Sequence, residues 1–461
     1  MSEESKHSRS VYISYGIGGF VDNFFIAAFT VRIIDFYENE LLLSIFWIGF
    51  AFLLYGFWNM INDPLIGWFA DKNFGFTKRW GRRYPFFVIG ALVFVWLYLF
   101  IFTVPFTDQI GMFIWLLITI CIFEFFYSMF IVTYLALFPD KFRTPAERTR
   151  AGAQNVAWGV AGIVLGVLIP PLIIVYGDIS SYILAAIVVS IIGFIMAILS
   201  LHGMKEDEEL IERQLRILEE QKGKESFWQV LRHAIKEKNF VAYILVSLGH
   251  AVMTVMMLSS LPFWNKYIIG SSDPENETVM AVGFLVAVFI SIPFWSMMGR
   301  KIGNKKAITY GTLLTTILFI PFFFVSDLLS TTLFIALVGF GIGAFWVLMF
   351  PAMSDTIDDI VVKTGKRQEG TLSGIRIFIE RLSIIILALS FAIIHPLTGY
   401  RAGAPPGQTS QTVLAQFGIR LLMAGIPMVF YFIAFLLIWK VYELDKAKVE
   451  ENTAFLKQKQ L

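Results

Sequence analysis

The chain has 461 residues, 57% hydrophobic and 16% aromatic, with a mean hydropathy of +0.70. That is too apolar for a soluble globular protein and points to a polytopic helical membrane protein. The net charge is only +2, its charges sit in short blocks between apolar runs, and Cys121 is the single cysteine, so neither a nucleic-acid partner nor a disulfide framework is expected.

The first ten residues are polar, and the apolar run from Val11 is too long for the core of a leader, so no cleavable signal is expected. A helix needs about 20 apolar residues to cross the hydrocarbon. Such runs lie near 12–36, 43–71, 84–105, 111–139, 150–176, 179–202, 239–269, 279–299, 306–325, 330–360, 371–396 and 414–441. The fold expected is therefore an all-α membrane protein of twelve transmembrane helices. One set of connections is basic, with Lys72, Lys78, Arg79, Arg82 and Arg83, then Lys141 to Arg150, Arg300 to Lys306 and Lys363 to Arg367. The opposite set is acidic or neutral, with Glu38, Glu40, Asp108, Asp178, Asp273, Glu275, Glu277 and Asp327. Positive charge stays in the cytosol, so both termini are expected there.

In the first run, Asp22 stands about 15 Å deep by helical rise, behind Gly16, Gly18 and Gly19. An acid at membrane depth costs roughly 2.5–3.5 kcal/mol on insertion scales, so it has a substrate or coupling role or makes a structural hydrogen bond. In the second run Asn59, Asn62 and Asp63 share a helix face, and Pro64 frees the carbonyl of Met60. These hard oxygens suit a sodium ion. A proton on Asp63, or a plain pairing with another helix, satisfies the same pattern. The loop that follows is doubly basic with close glycines, as is its counterpart after the eighth run.

Met204–Lys238 is the long polar segment, read as a cytosolic helix followed by an amphipathic one presenting Phe227, Val230, Leu231 and Ile235. It divides the chain into an N-terminal six-helix bundle (1–202), the linker (203–238), a C-terminal bundle (239–442) and a cytosolic tail (443–461). In the second half, His250 is either a satisfied core histidine or a proton-coupling group. Trp264 and Lys266, with Trp58, Tyr127 and Trp346, either line a ligand path or pack against lipid and neighbours. Asp355 and Asp358 are expected to pair with Lys363 to Arg367 as a gate. In the eleventh run Arg376 and Glu380 are spaced to satisfy each other. Arg381 is then expected to meet Asp22 or Asp63 from the other half, as a switchable or a permanent ion pair. No hydrolase, kinase or metal-cluster constellation appears, and no phosphate loop follows a strand.

Gly67, Asp71, Lys72, Gly81, Arg82 and Arg83 form a pattern that resembles the inter-helix signature of the major facilitator superfamily, with an insertion before the second glycine. NDPLIGW at 62–68, SYGIGGFVDNF in the first run, YLALFPD with ERTR after the fourth, MSDTIDDIVVKTGKRQEGT in the tenth and FIERL in the eleventh narrow it. Together they resemble the glycoside–pentoside–hexuronide:cation symporter family, melibiose-carrier-like and related to the sodium–lysophospholipid symporters. The resemblance implies two six-helix bundles and uptake of sugars driven by sodium, lithium or protons.

It also implies that Asp22 matches a sugar-binding acid, that Arg381 falls near a helix-eleven lysine, and that Asp63 keeps the second of two acids in helix two. The first of those acids is here Asn59, and its arginine is Gly56. The helix-four acid falls at Ile131, with Glu124 the nearest carboxylate, and the helix-five arginine falls at Asn155–Val156. A cation-coupled sugar or glycoside symporter is therefore expected; a lysophospholipid symporter and a non-transporting sensor on the same fold are the alternatives. Asp63, Asn59 and Asn62 are the expected ion ligands. Asp22, Tyr127, Asn155, Trp264, Lys266, Trp346 and Arg381 are the expected solute contacts. Asp71, Arg82, Arg83, Asp355, Asp358, Arg367 and Glu380 are the expected gating residues. No cofactor beyond a coupling sodium ion or proton is expected, and the partners are the solute and membrane lipid around a monomer in the plasma membrane.

Overall fold

A computed structural model describes residues 7–70, 74–213, 232–365 and 369–459. Asp71, Lys72, Lys366, Arg367 and the stretch carrying Phe227, Val230 and Leu231 lie outside the described residues. Among the described residues, twelve helices are long and apolar enough to span a membrane. They are α1 (Arg9–Glu40), α2 (Ile45–Gly67), α3 (Tyr84–Phe102), α4 (Gln109–Lys141), α5 (Glu147–Ile173), α6 (Ile179–Met204), α7 (Lys238–Ile269), α8 (Glu275–Ile302), α9 (Asn304–Phe323), α10 (Leu328–Thr364), α11 (Thr371–Thr398) and α12 (Val413–Val441). In lipid a segment must satisfy its own backbone hydrogen bonds, so long apolar runs can only close into helices. The chain is an all-α integral membrane protein.

Local chemistry sets the helix ends. Asp108 and Asp327 cap α4 and α10, each accepting from the amide three residues on (Gly111 and Ser330, 2.8 and 2.9 Å). Donation from Ser330 outweighs a small opposing desolvation and holds the exposed Asp327 carboxyl below the usual 3.8. Thr144 and Glu147 close a reciprocal capping box at the start of α5. The helix containing Pro64 runs unbroken from Ile45 to Ala70, so that proline does not end it. α1 and α7 both finish in a π turn, Phe36–Glu40 and Asn265–Ile269.

The contacts divide the chain into two compact units: Met1–Gly223 with Asp273–Glu275, and Lys224–Ser272 with Asn276–Leu461. In the first, α1 is almost wholly buried and α5 lies close against it through glycines. A Cβ on Gly162 would stand 3.0 Å from the Cα of Phe20, and one on Gly166 would stand 2.9 Å from the Cβ of Ala27. This four-residue glycine spacing lets two backbones touch where lipid offers no hydrophobic drive for association. In the second unit, the chain beyond α12 packs back on the helices. Lys446–Lys459 forms a helix, α13, whose Asn452 and Leu456 are buried, Leu456 among Ile357 and Ile360 of α10.

Candidate functional site

The polar centre of the first unit is built between α2 and α4. Asn59, Asn62 and Asp63 fall on one face of α2 because they are three and four residues apart. Opposite them, Glu124 and Ser128 stand one turn apart on α4. The Ser128 hydroxyl donates to Asp63 at 2.5 Å and lies 3.5 Å from Glu124 Oε1. Tyr55, two turns before Asp63, donates its hydroxyl to Glu124 Oε2 at 2.7 Å. Asn62 Nδ2 donates to the Glu124 carbonyl at 3.2 Å.

Both asparagines are shut off from solvent, Asn59 at 2% exposure and Asn62 at 0%. Their Oδ1 atoms have no hydrogen-bond partner. A buried acceptor left unmade costs about 1–3 kcal/mol. Two such oxygens beside two carboxylates and a hydroxyl form a donor set of oxygen only, the kind that sodium takes. The residues therefore fit a sodium ion, one of the occupants the sequence left open, and Glu124, Ser128 and Tyr55 join Asn59, Asn62 and Asp63 in the cluster. Glu124 obeys the same rule as Asp63, an acid deep in an apolar run, so its importance was legible. Ser128 and Tyr55 carried no signal, because serine and tyrosine are ordinary in such helices.

One residue along α4, Tyr127 donates to Asp22 of α1 at 2.5 Å. Two turns further, Tyr134 donates to Asn155 Oδ1 (2.8 Å) and meets the Tyr15 carbonyl (2.9 Å), while Asn155 presses on Gly19. Asp22, Tyr127 and Asn155 thus belong to one α1–α4–α5 assembly, with α4 serving both the acid of α1 and the acid of α2. Trp58 lies nearby and donates to the Cys121 carbonyl.

At the basic-loop end of this unit, Arg83 ion-pairs with Asp140 at 2.5 Å and also donates to the Ala136 carbonyl. Glu206 accepts the amides of Arg83 and Tyr84 (2.6 and 3.0 Å). The basic turn thus meets the carboxylates of Asp140 at the end of α4 and Glu206 just beyond α6. Arg82 is half-buried beside it.

In the second unit, His250 of α7 lies between Trp346 of α10 and Tyr431 of α12. Trp346 Nε1 lies 3.0 Å from His250 Nε2, and Tyr431 Oη lies 2.7 Å from His250 Nδ1. Arg376 and Glu380 pair at 2.7 Å, as their spacing indicated. Arg381 stands at a break in α11, between a helix ending at Glu380 and one starting at Leu382. Trp264 and Lys266 are buried, at 0% and 2% exposure. The Trp264 indole donates to Thr331 and carries Arg420 5.2 Å over its ring.

At the end of α10, Asp355 accepts from Asn304 at 2.7 Å, and Asp358 is half-buried. Lys363 meets Asp359 and Glu237, each at 2.8 Å, because Asp359 is one full turn behind it. Asp359, buried at 3%, also accepts from Asn239 and from Asn452 of α13. A second group passed over in the sequence is Arg32 with Asp35, both buried, near the π turn of α1; Asn39 and Tyr182 donate to Asp35.

The sequence family described as MFS/sugar transport protein matches residues 14–446. The chain is 24% identical to the sodium-dependent lysophosphatidylcholine symporter 1 of Xenopus tropicalis, over 86% of this chain and 79% of that one. It is 24% identical to the glucuronide carrier protein homolog of Escherichia coli K12, over 95% and 93%. Among solved structures, a D-xylose-proton symporter superposes with a TM-score of 0.64 at 15% identity, covering 94% of this chain and 98% of the other.

Proposed function

The chain belongs to the MFS/sugar transport protein family, and from that membership we propose that it is a sodium-coupled symporter working by alternating access. It is a secondary transporter, not an enzyme. The observation that carries the ion assignment is the pair of buried, unpartnered amide oxygens of Asn59 and Asn62 beside Asp63, Ser128 and Glu124. Those residues would hold the ion, and its charge would offset the carboxylates in a low-dielectric site. Sodium rather than a proton is favoured because a proton on Asp63 is a single donor and could satisfy at most one of the two amide oxygens.

The carried solute in this reading is a sugar or glycoside; Asp22, Tyr127 and Asn155 are the candidate contacts of the first unit by itself, and Trp346 and Arg381 those of the second unit by itself. Carboxylate and phenol exchange hydrogen bonds with hydroxyls, and an indole face covers a sugar ring. A second reading, a lysophospholipid, draws on the similarity to sodium-dependent lysophosphatidylcholine symporters and on the missing helix-five arginine. The basic connections favour both termini in the cytoplasm, and in this reading the protein is a plasma-membrane monomer. Gating in this reading falls to Arg82, Arg83 and Asp71 in the first unit, and to Asp355, Asp358, Arg367 and Glu380 in the second.

The test is uptake into proteoliposomes of labelled glycosides and lysophospholipids, with a sodium gradient and with a pH gradient alone. Sodium-driven accumulation of a glycoside is expected, and Asp63→Ala should lose it. Full accumulation in that variant would sink the assignment.

A further inference from the structure

The histidine of the second unit has its tautomer decided by its neighbours. Indole Nε1 is a donor only and cannot accept. Trp346 Nε1 points at His250 Nε2 at 3.0 Å, so Nε2 must be the bare, accepting nitrogen. The proton of a neutral ring then sits on Nδ1, which donates to the Tyr431 hydroxyl 2.7 Å away. Tyr431 is buried at 1% exposure, and the ring of Phe345 lies 4.5 Å from the imidazole, so the histidine has little freedom to turn. A second proton on His250 would set one N–H against another. It would also add a positive charge within the field of Arg376, the charged group that acts on His250 from α11.

We propose that His250 is a positioning residue: as the Nδ1–H tautomer, clamped between Tyr431 and Trp346, it fixes the plane of the Trp346 indole and carries no coupling proton. This deepens the reading above, in which Trp346 faces the solute, and it rests on that reading for its effect on transport. It removes the proton-carrier role from the one histidine whose depth in the span suggested it. The clamp holds the edge of the indole that carries Nε1, which leaves the ring faces to a solute and sets their angle.

The test has two parts. The first uses ring-15N-labelled protein in detergent or nanodiscs, with the His250 signal identified by its loss in His250→Gln. A bare Nε2 and protonated Nδ1 are expected, unchanged on mild acidification. In Trp346→Phe the same ring should titrate or change tautomer, since its donor is gone. A protonated Nε2 in the native protein, or ordinary titration there, overturns the proposal. The second part compares uptake by His250→Gln and His250→Leu. Glutamine can accept from the indole and donate to Tyr431, so its KM should stay near native. Leucine can do neither, so KM should rise about three- to tenfold, with kcat, sodium activation and pH profile unchanged. Equal KM values in the two variants, or a pH profile altered by His250→Gln, would also overturn it. The 15N readout requires no transport, so it still decides the clamp if sodium-driven uptake is absent and the symporter reading fails.

Discussion

α4 and α10 occupy the same place in their two units, and their marker residues keep one constant spacing in the sequence. Asp108 and Asp327 cap the helices, Tyr127 and Trp346 stand midway, and Asp140 and Asp359 anchor the basic-loop ends. The midway residues do different chemistry on this common frame. Tyr127 donates to a carboxylate, and the next residue, Ser128, donates to a second one. Trp346 donates to a neutral imidazole, and the next residue is Val347. The repeat preserved the geometry of a donor facing the first helix of its unit and let the acceptor diverge. On α4 that donor controls ionised groups; on α10 it only orients a ring.

The strongest way to break this contrast is to neutralise the ionised side. Asp63→Asn keeps the shape and the Ser128 contact but removes the charge, and should weaken sodium activation by on the order of a hundredfold, about 2.7 kcal/mol. Sodium-dependent uptake kinetics would show it, and an unaltered half-activating sodium concentration would erase the asymmetry between the units. Next in size, Asp359→Ala leaves the buried amides of Asn239 and Asn452 without their acceptor and should cost about 2–4 kcal/mol. Proteolysis of α13 should quicken relative to native protein; unchanged cleavage would mean that apolar packing alone holds it.

Gly162→Leu forces a side chain into the Phe20 backbone and should cost about 1–3 kcal/mol, read as a lower Tm. Tyr127→Phe removes one donor to Asp22 and should raise the solute KM about two- to tenfold while leaving sodium activation alone. A shift in sodium activation would show that the Asp22 and Asp63 sites are one. The smallest effect concerns the paired caps. The folded carboxyl of Asp327 titrates below its unfolded value, so its stabilisation is present above about pH 4 and fades as pH falls through the folded value. Asp327→Ala should therefore lower Tm slightly near neutrality and not at all in acid.

The twelve spans were readable because lipid accepts only long apolar helices, and runs such as 239–269 coincide closely with α7 (Lys238–Ile269). Asp22, Asp63 and the Arg376–Glu380 pair were also readable, since a charge in an apolar run announces itself and a one-turn spacing is local. The burial of Trp264 and Lys266 was not readable, because an aromatic or a lysine near a helix end looks the same whether buried or exposed. The contacts of Asp359 were not readable either, because adjacent acids differ only in the face they present, and packing chooses the face.

What the sequence by itself determined is everything carried by period, length and hydropathy: the helices, their basic connections, and the acids that had to have partners. What only the tertiary structure decided is which partner each acid took. Ser128 reaches Asp63 and Tyr55 reaches Glu124 across separate helices, and the tautomer of His250 is set by α10 and α12 together. Side-chain hydrogen bonds act over about 3 Å, and sequence distance says nothing about which helices come that close.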